Sequence, residues 1–275
     1  MSDWCPISHH RILVTGGGSG LGRAVALALH RQGKVVLVAG RRIAALEETA
    51  EIARSTGGPG EIVAVTCDVR RFVEVEDLFD QVGALGGVTA LVHAAGTARV
   101  GTLLDAPVGS FQQTIESALG GTVHVLRRFG GDLVAAGRGG AAVLISSSTA
   151  EVGTAGIGGS AAAKAGVISL ARTVAREWGG AGIRVNCIAP GVVPVEESSP
   201  LFEEAAVGER LFEQIALGRY GTPDEIVGPI LFLLSDAASY MTGVNMTVDG
   251  GQTLGGWPVP ASVIAAHTRH SEGAA

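Results

Sequence analysis

Short apolar segments alternate with stretches of helical periodicity along most of the chain. Each apolar segment ends in glycine or a polar residue and predicts a strand, and the stretches between them repeat apolar residues at helical spacing. The predicted strands cover residues 11–15, 34–39, 61–66, 88–92, 141–145, 183–188 and 244–248. The predicted helices cover residues 21–30, 43–54, 71–82, 108–136, 160–178 and 223–235.

Strands and helices in alternation are typical of a parallel sheet that is covered by helices on both faces. We therefore predict an α/β fold, namely a Rossmann-type doubly wound parallel sheet of about seven strands in a three-layer sandwich. An acidic and apolar stretch over residues 198–220 interrupts this pattern and predicts a mobile lid above a ligand site.

The first predicted strand ends in a glycine-rich turn. After Thr15 the chain reads Gly-Gly-Gly-Ser-Gly-Leu-Gly over residues 16–22. Residues without Cβ let backbone N–H groups and the N-terminus of the next helix approach a pyrophosphate, so the turn indicates a dinucleotide site. The predicted contacts in this turn are Gly16, Gly18, Ser19, Gly20, Leu21 and Gly22. Residues 1–251 are then one NAD(P)-binding domain, and residues 252–275 are a C-terminal tail.

The second predicted strand leads into Gly40, Arg41 and Arg42. In dinucleotide folds an acid at this point binds the ribose 2′-hydroxyl, whereas an arginine accommodates a 2′-phosphate. Because no acid is present, NADP(H) is favoured over NAD(H). In the alternative interpretation the two arginines only begin the next helix on its solvent side.

Two further strand ends carry polar residues. Asp68 follows the third strand, at the carboxyl edge where open α/β sheets bind ligands, and it can contact a cofactor or cap the next helix. His93 ends the fourth strand. A histidine embedded at a strand end is more often a hydrogen-bonded structural group than a catalytic one.

Charge and composition limit the classes of binding partner that we expect. A net charge of −6 and a pI near 5.6, without a basic run, argue against nucleic acid or an anionic membrane and favour a small-molecule partner. No apolar run reaches the roughly 18 residues that span a bilayer, so we expect a soluble, cytoplasmic protein. The three cysteines, Cys5, Cys67 and Cys187, are widely separated and predict free thiols, with neither disulfides nor a metal site.

Three residues in the second half of the chain have a distinctive spacing. Ser147 lies thirteen residues before Ser160, and Lys164 lies four residues after it. The chain has only one other lysine, Lys34, and otherwise uses arginine for positive charge. Lys164 is therefore informative, because an ammonium that can lose its proton differs chemically from a guanidinium.

This spacing resembles the Ser and Tyr-x-x-x-Lys centre of the short-chain dehydrogenase/reductase family. The resemblance also rests on the glycine turn, on the His-Ala-Ala-Gly segment at 93–96, on the Pro-Gly pair at 190–191 and on the Asp-Gly-Gly at 249–251, and it covers about residues 10–251. It implies further cofactor contacts at Asp68, Val69, Ala94, Ala95, Gly96, Lys164, Pro190, Gly191 and Val193.

In that family the tyrosine protonates the substrate's carbonyl oxygen, the lysine lowers the pKa of the phenol and binds the nicotinamide ribose, and the serine polarises the carbonyl. The resemblance assigns the last two roles to Lys164 and Ser147, while Ser160 stands in the tyrosine position. A serine hydroxyl is far less acidic than a phenol, which titrates near ~10, and its side chain is too short to reach the same oxygen.

Two more positions depart from the family's pattern. Ala118 stands where an asparagine normally kinks a helix and holds a water of the proton relay, and Val195 stands where a threonine often binds the nicotinamide carboxamide. The resemblance also implies a homodimer or homotetramer that pairs the helices at about 108–136 and 159–179.

Three functions remain open at this point. The first is an NADP(H)-dependent reductase of a ketone or quinone-like small molecule that uses an atypical proton donor. The second is a non-redox enzyme on the same scaffold, such as a dehydratase, isomerase or cyclase, and the third is a catalytically silent cofactor-binding subunit.

Overall fold

A seven-stranded parallel sheet forms the centre of the computed structural model, which describes residues 5–97, 99–196 and 212–255. The strands lie in the order β3-β2-β1-β4-β5-β6-β7. They are β1 (Arg11–Thr15), β2 (Val35–Gly40), β3 (Glu61–Thr66), β4 (Ala90–His93), β5 (Gly140–Ile145), β6 (Ile183–Pro190) and β7 (Asn245–Val248). All neighbouring strands pair in parallel, which confirms the predicted doubly wound sheet.

Helices cover both faces of the sheet. They are α1 (Gly20–Arg31), α2 (Ile43–Thr56), α3 (Phe72–Ala84), α4 (Ser110–Ile115), α5 (Gly121–Ala135), α6 (Gly158–Trp178) and α7 (Pro223–Leu234). Buried side chains of α3, α5 and α6 form one core with the sheet, and those of α1, α2 and α7 form another on the opposite face. Alternate residues of one strand, such as Leu13 and Val14, enter different cores. Burial on both faces explains the continuous apolar runs.

The helix predicted over 108–136 is not continuous. A π-helical segment, Glu116–Gly120, separates α4 from α5. The Thr122 hydroxyl donates a hydrogen bond of 2.6 Å to the Ala118 carbonyl and so satisfies an acceptor in this segment. The prediction was wrong because one inserted residue barely disturbs apolar periodicity over two turns. The irregular turn forms here with Ala118, without an asparagine side chain.

The proposal that Asp68 caps the next helix was also wrong. α3 begins at Phe72 with Arg71 at its N-cap, and no side chain caps it there. The Asp68 carboxylate instead accepts hydrogen bonds from the Arg70 guanidinium, with an ion-pair distance of 2.5 Å. α7 begins differently, because Thr222 is its N-cap and the Thr222 amide donates a hydrogen bond of 2.9 Å to the Glu225 carboxylate.

Several predictions concern segments near or beyond the described residues. Most of the proposed lid, residues 198–211, and the tail from residue 256 lie outside them.

The cysteines are free thiols, as predicted. Within the described ranges, no helix is long and apolar enough to cross a membrane.

Candidate active site

The carboxyl end of β5 presents Ser147, two residues beyond the last strand residue, Ile145. Its Oγ accepts a hydrogen bond of 3.2 Å from the Thr149 amide, and the two hydroxyl oxygens lie 2.8 Å apart. Thr149 therefore holds the Ser147 hydroxyl through both backbone and side chain. Sequence reasoning missed this contact, although a serine two residues before a threonine is a known local turn signal.

Lys164 lies in α6 and directs its ammonium back to the same strand end. Its Nζ donates a hydrogen bond of 2.5 Å to the Ile145 carbonyl oxygen, and the Ser146 hydroxyl donates one of 3.4 Å to the Lys164 carbonyl. Loss of solvation through burial lowers the pKa of Lys164 to about 8. The edge of β5 thus holds a titratable cation beside Ser147.

The end of β4 and the π-helical segment meet at this ammonium. A Cβ placed on Gly96 would lie 3.8 Å from the Lys164 Nζ and 3.5 Å from the Ala118 Cβ. Ala118 is buried, so an apolar methyl group faces a place where the related family has a polar amide. The structure therefore joins Gly96, Ala118 and Lys164 in one cluster, without a side-chain acid or amide from position 118.

Ser160 lies in the first turn of α6, one turn before Lys164. Its residue is partly exposed, and its hydroxyl has no hydrogen-bond partner among the residues that the structure describes. A Cβ on the preceding Gly159 would lie 3.3 Å from the Phe111 ring, so α4 borders this turn. The geometry places Ser160 at the site but gives it no contact that would make its hydroxyl acidic.

His93 is buried at the end of β4 and joins it to β1. Its Nδ1 lies 2.8 Å from the Thr15 hydroxyl, which also accepts a 3.4 Å hydrogen bond from the Ala95 amide. Its Nε2 has no partner among the described residues. Burial first and the charge of Lys164 second lower the pKa of His93 to about 3. The imidazole is therefore neutral at physiological pH, as a structural histidine would be.

The glycine turn after β1 is tightly packed. Gly16 has a φ of +73°, and a Cβ on it would lie 2.8 Å from the Ala95 amide nitrogen. A Cβ on Gly22 would overlap the Gly16 carbonyl oxygen. Side chains are excluded from both positions, so the backbone forms a cradle of the shape that a pyrophosphate needs.

The N-terminus of α1 opens onto that cradle. Its N-cap is Ser19, whose side chain makes no capping hydrogen bond. The first amides of a helix lack partners within the helix, and together with the helix dipole they favour an anion. Gly20 and Leu21 begin this turn, and a Cβ on Gly20 would lie 3.4 Å from Val195. The residues present therefore fit a dinucleotide phosphate.

The carboxyl edge continues across β2 and β3. Arg42 is the N-cap of α2, as the alternative interpretation of this pair has it, while Arg41 precedes the helix and is exposed. The pKa of Asp68 is lowered mainly by hydrogen bonds from Arg70 and also by the charge of Arg41, so Arg41 and Asp68 lie near each other. Val69 is buried, and its carbonyl lies 2.9 Å from the His124 Nδ1 of α5.

The segment after β6 lies next to the glycine turn. Pro190 ends the strand, and the Gly191 amide donates a 3.0 Å hydrogen bond to Val248. Val193 packs into the core shared with α1 and α7. Val195 reaches Gly20, so its apolar side chain faces the glycine turn at the position where a threonine was expected from the family's pattern.

Sequence reasoning also missed Arg23. Its guanidinium donates a 2.6 Å hydrogen bond to the Gly18 carbonyl and pairs with Glu48 at 2.6 Å and Glu196 at 3.2 Å. A cation in the first turn of a helix is unfavourable, because it lies near the positive end of the helix dipole. An arginine at this position is therefore a sequence signal that carboxylates lie nearby. Arg23 links the glycine turn to α2 and to the segment after β6.

The chain is similar to known reductases and dehydrogenases. A family model described as enoyl-(acyl carrier protein) reductase matches residues 16–253. A Bacillus subtilis protein named "Probable 2,4-dienoyl-CoA reductase [(2E)-enoyl-CoA-producing]" is 36% identical over 252 residues, which are 90% of this chain and 98% of that protein.

Solved structures are also similar to this chain. A short-chain type dehydrogenase/reductase from Mycobacterium marinum is 33% identical with a TM-score of 0.84, and the match covers 90% of this chain and 97% of that one. A candidate 2-deoxy-D-gluconate 3-dehydrogenase from Agrobacterium tumefaciens, solved with bound NADP, is 31% identical with a TM-score of 0.84 over 93% of this chain and 100% of that one.

Proposed function

The chain belongs to the short-chain dehydrogenase/reductase family, and on that premise we propose that it is an NADP(H)-dependent reductase that works without a phenolic proton donor. Its relatives are oxidoreductases that act on alcohols or CoA esters. The observation that carries the proposal is the position of Lys164: its ammonium is fixed at the Ile145 carbonyl and borders Gly96, with Ser147 at the same strand end.

A nicotinamide dinucleotide, when bound, would supply the hydride. The glycine turn and the first amides of α1 would hold its phosphates, and Lys164 would bind near its nicotinamide ribose. Arg41 at the end of β2, where the chain has no acid, supports NADP(H) over NAD(H). The related Agrobacterium structure with bound NADP supports the same preference.

Ser147 and Lys164 would stabilise negative charge that develops on a substrate oxygen. The Ser147 oxygen accepts from the Thr149 amide, which leaves its hydroxyl hydrogen able to donate to that oxygen. A positioned general acid contributes about 10²–10⁴-fold, and orientation of bound reactants contributes about 7–11 kcal/mol. Loss of the phenol alone therefore leaves most of the catalytic effect in place, provided that water or the substrate supplies the proton.

The substrate must be one that can be reduced without a phenolic proton donor. An activated ketone or a quinone-like carbonyl compound meets this requirement, because its reduced oxygen needs less help from an acid. A second candidate is a carbon–carbon double bond conjugated with a thioester. The family model's description and the Bacillus relative's name favour it. In that reaction hydride adds to carbon, the oxygen holds the enolate charge and the proton finally joins carbon, so a phenol beside the oxygen is not required.

Two observations bear on the remaining functions. A non-redox role would need a second acid or base near neutral pH, but the pKa of His93 is lowered to about 3. A silent subunit would have no need to hold Lys164 desolvated at the strand end, since burying an ammonium costs free energy.

The proposal is tested by incubating the protein with NADPH and a panel of activated ketones, quinones and 2-enoyl thioesters. We expect NADPH oxidation above the background rate with at least one class, and Arg41→Ser should weaken NADPH binding about tenfold while NADH binding is unchanged. Arg31→Ser, at the far end of α1, is the control. Tight NADPH binding without oxidation by any compound would indicate a silent subunit, and turnover without a change in cofactor redox state would indicate a non-redox enzyme.

We also infer a homodimer or homotetramer. Val123 and Val134 of α5 are 43% and 51% exposed, and they border an apolar groove between α5 and α6 that Trp178 lines. Light scattering after gel filtration measures the assembly, and a monomeric mass at micromolar concentration would contradict the inference.

A further inference from the structure

Exposed apolar side chains are concentrated in one loop. Fifteen large apolar residues in the described part of the chain are well exposed, and five of them lie within the twelve residues 100–111. Leu104 is 95% exposed and Val108 is fully exposed. Clustered apolar side chains in water are unfavourable and mark binding surfaces, whereas single ones are ordinary. We call the five residues the apolar shelf: Val100, Leu103, Leu104, Val108 and Phe111.

The shelf borders the candidate active site. It begins four residues after Gly96. A Cβ placed on Gly96 would lie 3.8 Å from the Lys164 Nζ. The Gly101 amide donates a 2.7 Å hydrogen bond to the Gly156 carbonyl. At the other end Phe111 lies against Gly159, directly before Ser160. The loop that leads into α6 therefore contacts the shelf at one end, and the first turn of α6 contacts it at the other.

The carboxylates in these two loops are already bound within the protein. Asp105 accepts a 2.5 Å hydrogen bond from the Thr102 hydroxyl. Glu151 accepts hydrogen bonds from the Asn245 amide at 2.5 Å and the Thr247 hydroxyl at 2.8 Å. A site for a polyol or sugar acid needs several polar groups that face the ligand's hydroxyls, because binding must replace their bonds to water. Here apolar side chains are exposed while these carboxylates are engaged.

We propose that the apolar shelf binds a hydrocarbon chain of the substrate, so that the substrate is an acyl or alkyl compound rather than a polyol. The inference rests on the proposed function for the position of the reacting carbonyl beside Ser147 and Lys164. It also separates two groups of relatives by chemistry: those whose names refer to CoA thioesters, and those whose names refer to sugar acids or polyols.

The test measures binding instead of turnover. A series of 2-alkanones with about four to about twelve carbons is titrated calorimetrically into the protein saturated with NADP⁺, which has no hydride to give. We expect the Kd to fall about two- to fourfold per added methylene until the shelf is covered. Gluconate, a polar probe, should bind more weakly than any of the longer ketones.

The variant L103S/L104S removes two exposed shelf residues, and Leu85→Ser, an exposed leucine at the C-cap of α3, is the matched control. The double variant should lose most of the chain-length dependence, whereas the control should retain it, and both should unfold near the native temperature because surface changes are small in effect.

A Kd that is independent of chain length would overturn the proposal, as would tighter binding of gluconate. A change of assembly state or thermal midpoint in L103S/L104S, with the chain-length dependence intact, would overturn it too, because another part of the chain or a second copy would then cover the shelf. If the wild-type protein shows the chain-length dependence but oxidises no NADPH with any substrate, the role of the shelf is supported and the proposed reductase function is not.

Discussion

The glycine turn after β1 and the strand edge at β5 are constrained in different ways. At the glycine turn, backbone atoms occupy the space of any side chain on Gly16 or Gly22, so packing alone dictates the residue. At the β5 edge, hydrogen bonds hold the side chains of Lys164 and Ser147, whereas the Ser160 hydroxyl has no hydrogen-bond partner among the described residues. The first region is fixed by backbone packing, and the second by the hydrogen bonds of two side chains.

Removing Lys164 should have the largest effect on turnover. Lys164→Ala deletes the cation of the β5 edge, and we expect kcat to fall about 10²–10⁴-fold while NADPH binding weakens far less. Lys34→Ala is the matched control, because the Lys34 ammonium also donates to a backbone carbonyl, that of Ile7 at 2.6 Å. Unchanged turnover in Lys164→Ala would show that the β5 edge is not catalytic.

Filling the glycine turn should act on binding instead. Gly22→Ala forces the Gly16 carbonyl to move, and overpacking of about 1–3 kcal/mol corresponds to a roughly 5- to 160-fold loss of NADPH affinity. Gly83→Ala is the control, since a Cβ there meets open space. The readout is calorimetric Kd for NADPH, and equal affinities in both variants would contradict the assignment of the turn.

The ionisation of Lys164 gives a pH prediction. Burial lowers its pKa from the usual 10.5 to about 8, so the charged form is present below pH 8 and is lost as the pH rises through that value. We expect kcat/KM to decrease about tenfold per pH unit above pH 8. His93, neutral because its pKa is lowered to about 3, should add no step between pH 5 and 7. A flat profile to pH 10 would contradict the role of Lys164.

Thr149 offers a smaller test. Thr149→Val keeps the shape of the residue but removes the hydroxyl 2.8 Å from Ser147. Loss of one hydrogen bond of about 0.5–1.5 kcal/mol predicts a kcat roughly 2- to 12-fold lower with NADPH affinity unchanged. Thr173→Val, at an exposed position of α6, is the control. A loss of NADPH affinity in Thr149→Val would place Thr149 in the cofactor site instead.

Changing Ser160 should have the least effect. Because its hydroxyl has no hydrogen-bond partner among the described residues, Ser160→Ala is expected to alter kcat less than about twofold. Steady-state kinetics with the best substrate from the panel measure this. A decrease of more than about tenfold would show that Ser160 itself transfers the proton.

The sequence predicted the sheet well because buried parallel strands leave unbroken apolar runs, and all seven were located. It did not predict the π-helical segment at 116–120, since a single extra residue in a helix hardly alters apolar spacing. The role of Asp68 depended on the conformation of Arg70, a neighbour whose side chain could equally have pointed to solvent.

The sequence predicted only part of the candidate site. Lys164 was recognised by its spacing and rarity, and its position at the Ile145 carbonyl agrees with a site at the β5 edge. Thr149 and the Arg23 network were missed because their importance arises from three-dimensional contacts with Ser147, Gly18 and Glu196. The shelf could have been suspected from its apolar sequence, but only exposure distinguishes it from a core segment.

Transfer of an isotope label from the cofactor to the product is a direct test of hydride transfer. NADPH deuterated at the reactive carbon of the nicotinamide is incubated with the best activated substrate, and the product is analysed by mass spectrometry. If hydride transfer occurs as proposed, we expect deuterium in the product for the wild-type protein and for Ser160→Ala, and a severe loss of labelled product for Lys164→Ala. Product that forms without deuterium, or bound NADPH that never transfers its label to any substrate, would contradict it.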